Sequence, residues 1–437
     1  FLYFQISPKN KTLNINKDKI KQRGEKAVSP GITYRAKPLL MEPSLYLTYL
    51  AVILLIGILT SLVSKKIKIP NILLLLIIGI ILSQLRYKGS TLIVFPPTFL
   101  ASIGILALVM IVFDASSRFK FKEFDTFSLK ALKLTIIFLI LNLLVISFFT
   151  KSIFNISSWF LCFIFAALMS GTDAGTVLST FQKTKNRIFE MLEVESILNT
   201  PIIVLVPFII LDLMKSLESG FIASKIMEQF APLLQQFVTG IGEGILVGII
   251  IFKVMRKKYS ETLSPLAIIT AALLTYILAE NLGGNGVLAV TTLGLFFGNV
   301  YIKEKTQLHE FSSVFARGLE ILVFILIGFL VVIPLKSLFF LQSLILFIIY
   351  LIVRFISIHI CFSNKEFSIK EKIFMSFNCQ KGIAVAVVAF TLSTLSIQGI
   401  TPILDLVVVF ILYSIILSTI SVRMSKYLVR TTVKEED

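Results

Sequence analysis

An aspartate and a lysine stand inside two long apolar stretches of this chain, each where helix-forming residues give way to polar and glycine residues. The first interruption reads Ser170-Gly171-Thr172-Asp173-Ala174-Gly175 and the second Asn378-Cys379-Gln380-Lys381-Gly382. Ionisable groups at bilayer depth are costly, so they pair with one another or line an ion or substrate path. Unwinding a helix at that depth frees carbonyl and amide groups, which is tolerated only beside a cavity or other protein groups. It also aims the partial charges of half-helix ends at the centre of the membrane. Gly171 and Gly175 let the first break leave helical geometry. Asp173 is either a cap at a glycine kink or a carboxylate on an ion path, and the matching second break favours the path. Lys381 has to be neutral, snorkel or face a carboxylate, and Asp173 is its expected partner, in a buried pair or a compensated half-helix crossing. It then serves as a scaffold cation or takes part directly in proton movement.

A third constellation reads Glu193-Val194-Glu195-Ser196-Ile197-Leu198-Asn199-Thr200-Pro201. Glu195 and Asn199 are four residues apart, and Ser196 and Thr200 form the adjoining four-spaced pair on a helix. Pro201 removes a backbone donor and frees a carbonyl near Ile197. Carboxylate, hydroxyl and amide oxygens suit a hard, partly dehydrated monovalent cation. The other reading of Glu195, and more so of Glu193, is a polar helix entrance at the membrane boundary. Asp114, in Ile111-Val112-Phe113-Asp114-Ala115-Ser116, either joins the buried charge network or sits at the interface, where Arg118 and Lys120 follow. Glu280 and Arg354 are weaker candidates, each placed to pair with a neighbouring helix. Cys162, Cys361 and Cys379 lack metal spacing and imply neither a disulfide framework nor zinc. His309 and His359 have no ligand cluster around them. With no nucleophile–base arrangement and no phosphate loop, the chain is expected to be neither an enzyme nor a cofactor binder.

Those residues need a frame, and composition sets its kind. The chain has 437 residues, 56% hydrophobic and 15% charged, with a mean hydropathy of +0.91. That much apolar surface calls for an all-α polytopic membrane protein. The formal charge of +17 would suit nucleic acid. Most of the bases fall instead in short loops between apolar segments, so the expected partner is the lipid bilayer and not nucleic acid.

Thirteen spans are expected, at about 45–64, 69–85, 95–114, 129–149, 156–180, 190–214, 234–255, 265–280, 286–300, 314–333, 338–361, 371–395 and 401–425. Lys and Arg concentrate after the odd-numbered spans, for example Lys65, Lys66 and Lys68, then Lys183, Lys185 and Arg187, and finally Arg423, Lys426 and Arg430. The alternate loops hold only scattered bases such as Arg86, Lys88, Lys151 and Lys336. This asymmetry places the C-terminus in the cytoplasm and the N-terminus outside. Residues 1–44 are basic and disagree with that placement. Phe1-Leu2-Tyr3-Phe4-Gln5 resembles the remnant of a protease-cleavable tag, and Met41-Glu42-Pro43 would be an ordinary native start. The tail is expected to be disordered or tag-derived.

Shifting the first six spans by about 210 residues lays them on the last six and superposes the two breaks. An odd shift of seven spans makes the repeat inverted in the membrane. The expected organisation is a first repeat over 45–214, a linker with span seven over 215–264, a second repeat over 265–425 and a short cytoplasmic tail over 426–437.

Taken together, these residues resemble the monovalent cation/proton antiporter superfamily, on the sodium/proton exchanger side. Thr172-Asp173 looks like that family's Thr-Asp crossing on its fifth helix, and Glu195-Ser196-Ile197-Leu198-Asn199 like its Glu-Ser-x-x-Asn on the sixth. Lys381-Gly382 falls where these exchangers carry Arg-Gly or a lysine, and Asp114 holds the place of an acid that pairs with that base. Gly283-Gly284-Asn285-Gly286-Val287-Leu288-Ala289-Val290 and Gly294 resemble the family's glycine-rich ninth span. The likeness covers about 45–425. It implies a homodimer in the cell membrane, in which a core bundle of spans four to six and eleven to thirteen moves against a scaffold. It also implies that ion and proton compete for shared carboxylates, without a cofactor. One departure stands out: Thr200 occupies the position of the family's ion-binding aspartate. The resulting expectation is exchange of Na+ or K+ for protons, with Glu195 and Asp173 titrating. Thr172, Ser196, Asn199 and Thr200 would supply oxygen ligands, and Lys381 and Asp114 the charge network. The alternative is the same fold used as an ion-coupled solute symporter or a non-exchanging ion-binding sensor.

Overall fold

The computed structural model describes residues 43–67, 70–87, 90–91, 93–120, 126–174, 186–218, 226–257, 263–300, 305–330, 337–363 and 366–429. Contacts separate Phe1–Leu45 from a compact unit that runs from Tyr46 onward and holds every candidate site residue. Residues 1–42 of the basic tail and residues 175–185, among them Gly175 of the first break, lie outside the described residues.

Uninterrupted aliphatic runs form the helices, and Pro, Gly and Asn mark their ends. Helix α1 spans Pro43–Ile67 and α2 spans Asn71–Gln84. A small antiparallel hairpin, β1 Arg86–Tyr87 with β2 Ser90–Thr91, precedes α3 at Pro97–Ser117. Pro97 opens α3 at the position where a missing N–H is harmless. Helix α4, Thr126–Leu141, passes through a π-helical turn at Asn142–Ile146 into α5, Ser147–Phe154. Asn155 ends it in the left-handed region at φ 50°, which Asn tolerates better than most residues.

Helix α6 is short, Trp159–Met169, and α7 is long, Arg187–Glu218. Pro201 and Pro207 lie inside α7 without ending it. Then come α8 Ile226–Lys257, α9 Leu263–Asn281, α10 Gly286–Asn299, α11 Lys305–Leu330 and α12 Ser337–Cys361. The second broken segment is α13 Ile369–Phe377 followed by α14 Ile383–Thr394, and α15 Thr401–Arg423 and α16 Ser425–Leu428 close the fold. A reciprocal capping box between Ser368 and Glu371 sets where α13 begins.

The protein is therefore an all-helical, multi-pass membrane protein with one minor hairpin. Among the described residues, nine helices are long and apolar enough to cross a bilayer, and α2, α6, α10 and α14 are shorter apolar helices. Each of the thirteen expected segments contains a helix. Helices α2, α3, α8, α10 and α11 pack on one another, while α4 to α7 and α12 to α15 form a second group of neighbours. Close approach inside the first group depends on small residues: a Cβ on Gly328 of α11 would meet the backbone of Gly79 on α2. The two groups meet where α3 and α11 pack against α14. Among the largest fully buried side chains are three cations, Arg354, Lys372 and Lys381.

Candidate functional site

The two broken segments touch through their backbones. Helix α6 stops at Met169, Ser170 N–H bonds back to the Ala166 and Ala167 carbonyls, and the chain then leaves helical geometry through Gly171, Thr172 and Asp173. At the crossing, Asp173 N–H donates to the Gln380 carbonyl at 2.9 Å. Gly382 precedes α14 here, and a Cβ at that position would collide with the Asp173 carboxylate. The absent side chain thus lets the acid approach the start of α14, where unpaired N–H groups favour negative charge. Asn378 ties the other end of the break to α15. Its amide donates to the Phe374 carbonyl (2.7 Å) and to Ser421 Oγ (3.0 Å), and accepts from Ser418 Oγ at 3.0 Å.

Lys381 reaches backbone rather than carboxylate. Its Nζ donates to the carbonyls of Met169 and Gly171 and to the Tyr350 hydroxyl, each at 2.6 Å. An ammonium has three N–H donors, so these acceptors fill it. A direct Asp173–Lys381 pair, and the Asp114–Lys381 pair implied by the family resemblance, give way to this arrangement, which has the form of the other expectation, a compensated half-helix crossing. The physical reason is the carbonyl end of α6, which presents unpaired oxygens and partial negative charge to the lysine.

Glu195 and Arg354 form a bidentate pair at 2.5 and 2.6 Å, with side chains 1% and 0% exposed. The guanidinium also stacks over Phe138, 4.7 Å from the ring centroid. Thr172 Oγ1 donates to Glu195 Oε1 at 3.3 Å, and Asn199 Nδ2 donates to the Thr172 carbonyl (3.0 Å) and hydroxyl (2.7 Å). Glu195 and Asn199 therefore share one face as their four-residue spacing predicts, and Thr172 joins them, around a cation that the sequence ranked only as a weaker candidate. Tyr350 was not anticipated; its position one helical turn before Arg354 on α12 is the signal that could have found it.

Asp114 takes a different environment. Arg118, four residues on, donates to it from Nη2 (2.7 Å) and Nε (3.2 Å), Ser313 Oγ donates at 2.8 Å, and His309 Nδ1 lies 3.8 Å away. This cluster joins α3 to α11. Glu280 is elsewhere, accepting from Gly286 N–H at 2.9 Å. His359 stacks on Phe355 with ring centroids 6.0 Å apart.

A cavity of about 340 Å³ is lined both by the Asp114 cluster and by the first break at Gly171, Thr172 and Asp173. Exposed Arg118, Glu193 and Arg317 line it at the end of the molecule where α3 finishes and α7 begins. Asp173, Thr200 and Gly382 also line it. Thr200 Oγ1 donates to the Ser196 carbonyl at 2.7 Å, which leaves its lone pairs available to the cavity. Ser196 is part of the lining too, whereas Glu195 is not.

Broken segments that meet around buried charges in a multi-pass bundle define the architecture of a secondary transporter. The chain belongs to the sodium/hydrogen exchanger transmembrane family, whose model matches residues 50–425. It is 26% identical over 294 residues to the K(+)/H(+) antiporter NhaP of Alkalimonas amylolytica, a match covering 66% of this chain and 50% of that protein. It is 24% identical over 374 residues to Na(+)/H(+) antiporter 1 of Methanocaldococcus jannaschii, covering 80% of this chain and 84% of that protein. The fold is similar to the solved structure of the sodium proton antiporter MjNhaP1 from the same archaeon at pH 8. That likeness has a TM-score of 0.71 at 20% identity, over 89% of this chain and 98% of that one.

Proposed function

We propose that this protein exchanges a monovalent cation, Na+ or K+, for protons by alternating access. The observation that carries the reading is the Asp173 carboxylate, held at the helix crossing on the wall of a cavity that also contains exposed polar residues. A carboxylate there can be neutralised by a proton or by a cation, and rarely by both, which is the chemical basis of exchange. The family and its named antiporter relatives support the same reading.

In this reading the titrating role on the broken segments rests on Asp173. Glu195 is framework, because both of its oxygens are engaged by a buried arginine and releasing them would strand a charge. Thr172 and Asn199 hold the shape of the first break, while Ser196 and Thr200 offer neutral oxygens to the ion. Lys381 neutralises the end of α6. Asp173, Glu195, Lys381 and Arg354 then sum to zero charge.

The group α4 to α7 with α12 to α15 is the moving bundle, and the helices around α3 and α11 are the scaffold of a homodimer in the cell membrane. The cavity lies on the cytoplasmic face, with the N-terminus outside. The inverted repeat is supported by the contact from Lys381 to Gly171, whose separation of 210 residues equals the repeat shift.

Proteoliposomes holding a pH dye test this directly: imposing a Na+ or K+ gradient should drive proton movement in the opposite direction. Thr200 in place of a carboxylate favours the alternative, a non-exchanging binder, which would show cation-dependent thermal stabilisation without any proton flux.

A further inference from the structure

Glu320 stands apart from the helix crossing and its hydrogen bonds. It is a half-buried carboxylate on α11 that faces the same cavity as Asp173 and Thr200. Helix α11 packs on α2, α3 and α14, so Glu320 reaches the cavity from a helix that is not one of the broken segments.

Thr200 explains why a second acid matters here. Its hydroxyl provides lone pairs but no charge, and the charges of Asp173, Glu195, Lys381 and Arg354 already cancel. A cation arriving at Asp173 would meet one carboxylate and neutral oxygens there. Glu320 supplies further negative charge from α11. Two carboxylates facing one cavity resist simultaneous ionisation, so they hold a proton or a cation between them.

We propose that Glu320 is the second carboxylate of the cation site, contributed by the scaffold and engaged only while the cavity is open on this face. The inference rests on the exchange reading and deepens it: the site is assembled from the moving bundle and the scaffold together. The ligand class is a monovalent alkali cation. Arg317, one turn earlier on α11 and also lining the cavity, is the competing partner for Glu320 in a merely structural role.

The test uses the full chain in liposomes of known orientation, with cation-driven proton flux measured separately from each face with Na+ and with K+. Glu320→Gln should raise the cation KM on the cavity face at least tenfold. KM on the opposite face and the unfolding temperature should stay unchanged. Adding Thr200→Asp to that variant should restore affinity on the cavity face and lower KM on the opposite face as well, because the new carboxylate travels with the bundle. An unchanged KM on the cavity face overturns the inference. An equal rise on both faces overturns it too, since loss of a structural pair with Arg317 would act that way. Should Glu320→Gln fail to fold, Glu320→Asp carries the same test: a smaller rise confined to the cavity face supports the inference, and no rise contradicts it. If Asp173→Asn still exchanges ions, the underlying reading fails whatever Glu320 does.

Discussion

Lys381 Nζ lies 2.6 Å from the carbonyl oxygen of Gly171, a residue 210 positions earlier in the chain. With the bond to the Met169 carbonyl, this contact turns the lysine of one broken segment into the cap of the half-helix that ends in the other. The cation therefore holds the crossing together beside Asp173, which lines the cavity.

Removing that cap should be costly. Lys381→Met would leave two buried carbonyls and the Tyr350 hydroxyl without their donor, each unmet group costing about 1–3 kcal/mol. Thermal unfolding in detergent should show a loss of about 3 kcal/mol or more. A variant as stable as the parent would show that the lysine does not cap α6.

The Glu195–Arg354 pair should behave as one unit. Glu195→Leu and Arg354→Met should each destabilise by about 3–5 kcal/mol, because each strands a buried charge. The double variant should recover most of that loss. Additive effects in the double-mutant cycle would argue against a coupled pair.

Gly382 should be sensitive to a single methyl. Gly382→Ala presses on the Asp173 carboxylate, so it should lower exchange at least tenfold and raise the cation KM. Gly318 on α11 is the control, because a Cβ there meets nothing within 4 Å. Gly318→Ala should leave flux alone and add about 0.5–1 kcal/mol of stability from helix propensity.

Outside the spans, Glu366 pairs with Lys130, and this hydrogen bond holds the carboxyl below its ordinary value of 4.5. A depressed folded-state pKa adds stability above the unfolded value, and that stability is lost as pH falls through the folded one. The pair is partly exposed, so its contribution should stay under about 1 kcal/mol. The difference in unfolding temperature between the parent and Glu366→Gln should be small at pH 7, begin to shrink as pH falls past 4.5 and vanish once pH is below the folded-state value. A difference that grows on acidification would contradict the assignment.

Much of this architecture could be read from the chain because hydropathy and helix interruption are local properties. Each of the thirteen segments contains a helix, and the first break and the second meet at Asp173 and Gln380. The four-residue spacing of Glu195 and Asn199 correctly put them on one face. Partner choice was less legible. Lys381 binds backbone carbonyls, which carry no residue-type signal, so its pairing looked like a matter of finding an acid. Arg354 stood alone in an apolar run, and nothing in the sequence tied it to Glu195 159 residues away. Asp114 went to Arg118, a four-spaced neighbour visible in the sequence. Glu320 carried no motif at all, and only the packing of α11 brings it to the cavity.

Competition between cation and proton at Asp173 is the step on which the proposed exchange depends. Its most direct test is Na+- or K+-driven proton flux in proteoliposomes, comparing the parent with Asp173→Asn at matched reconstitution and unchanged unfolding temperature. Clear flux is predicted for the parent, and none above empty liposomes for the variant. Undiminished flux in Asp173→Asn would contradict that role.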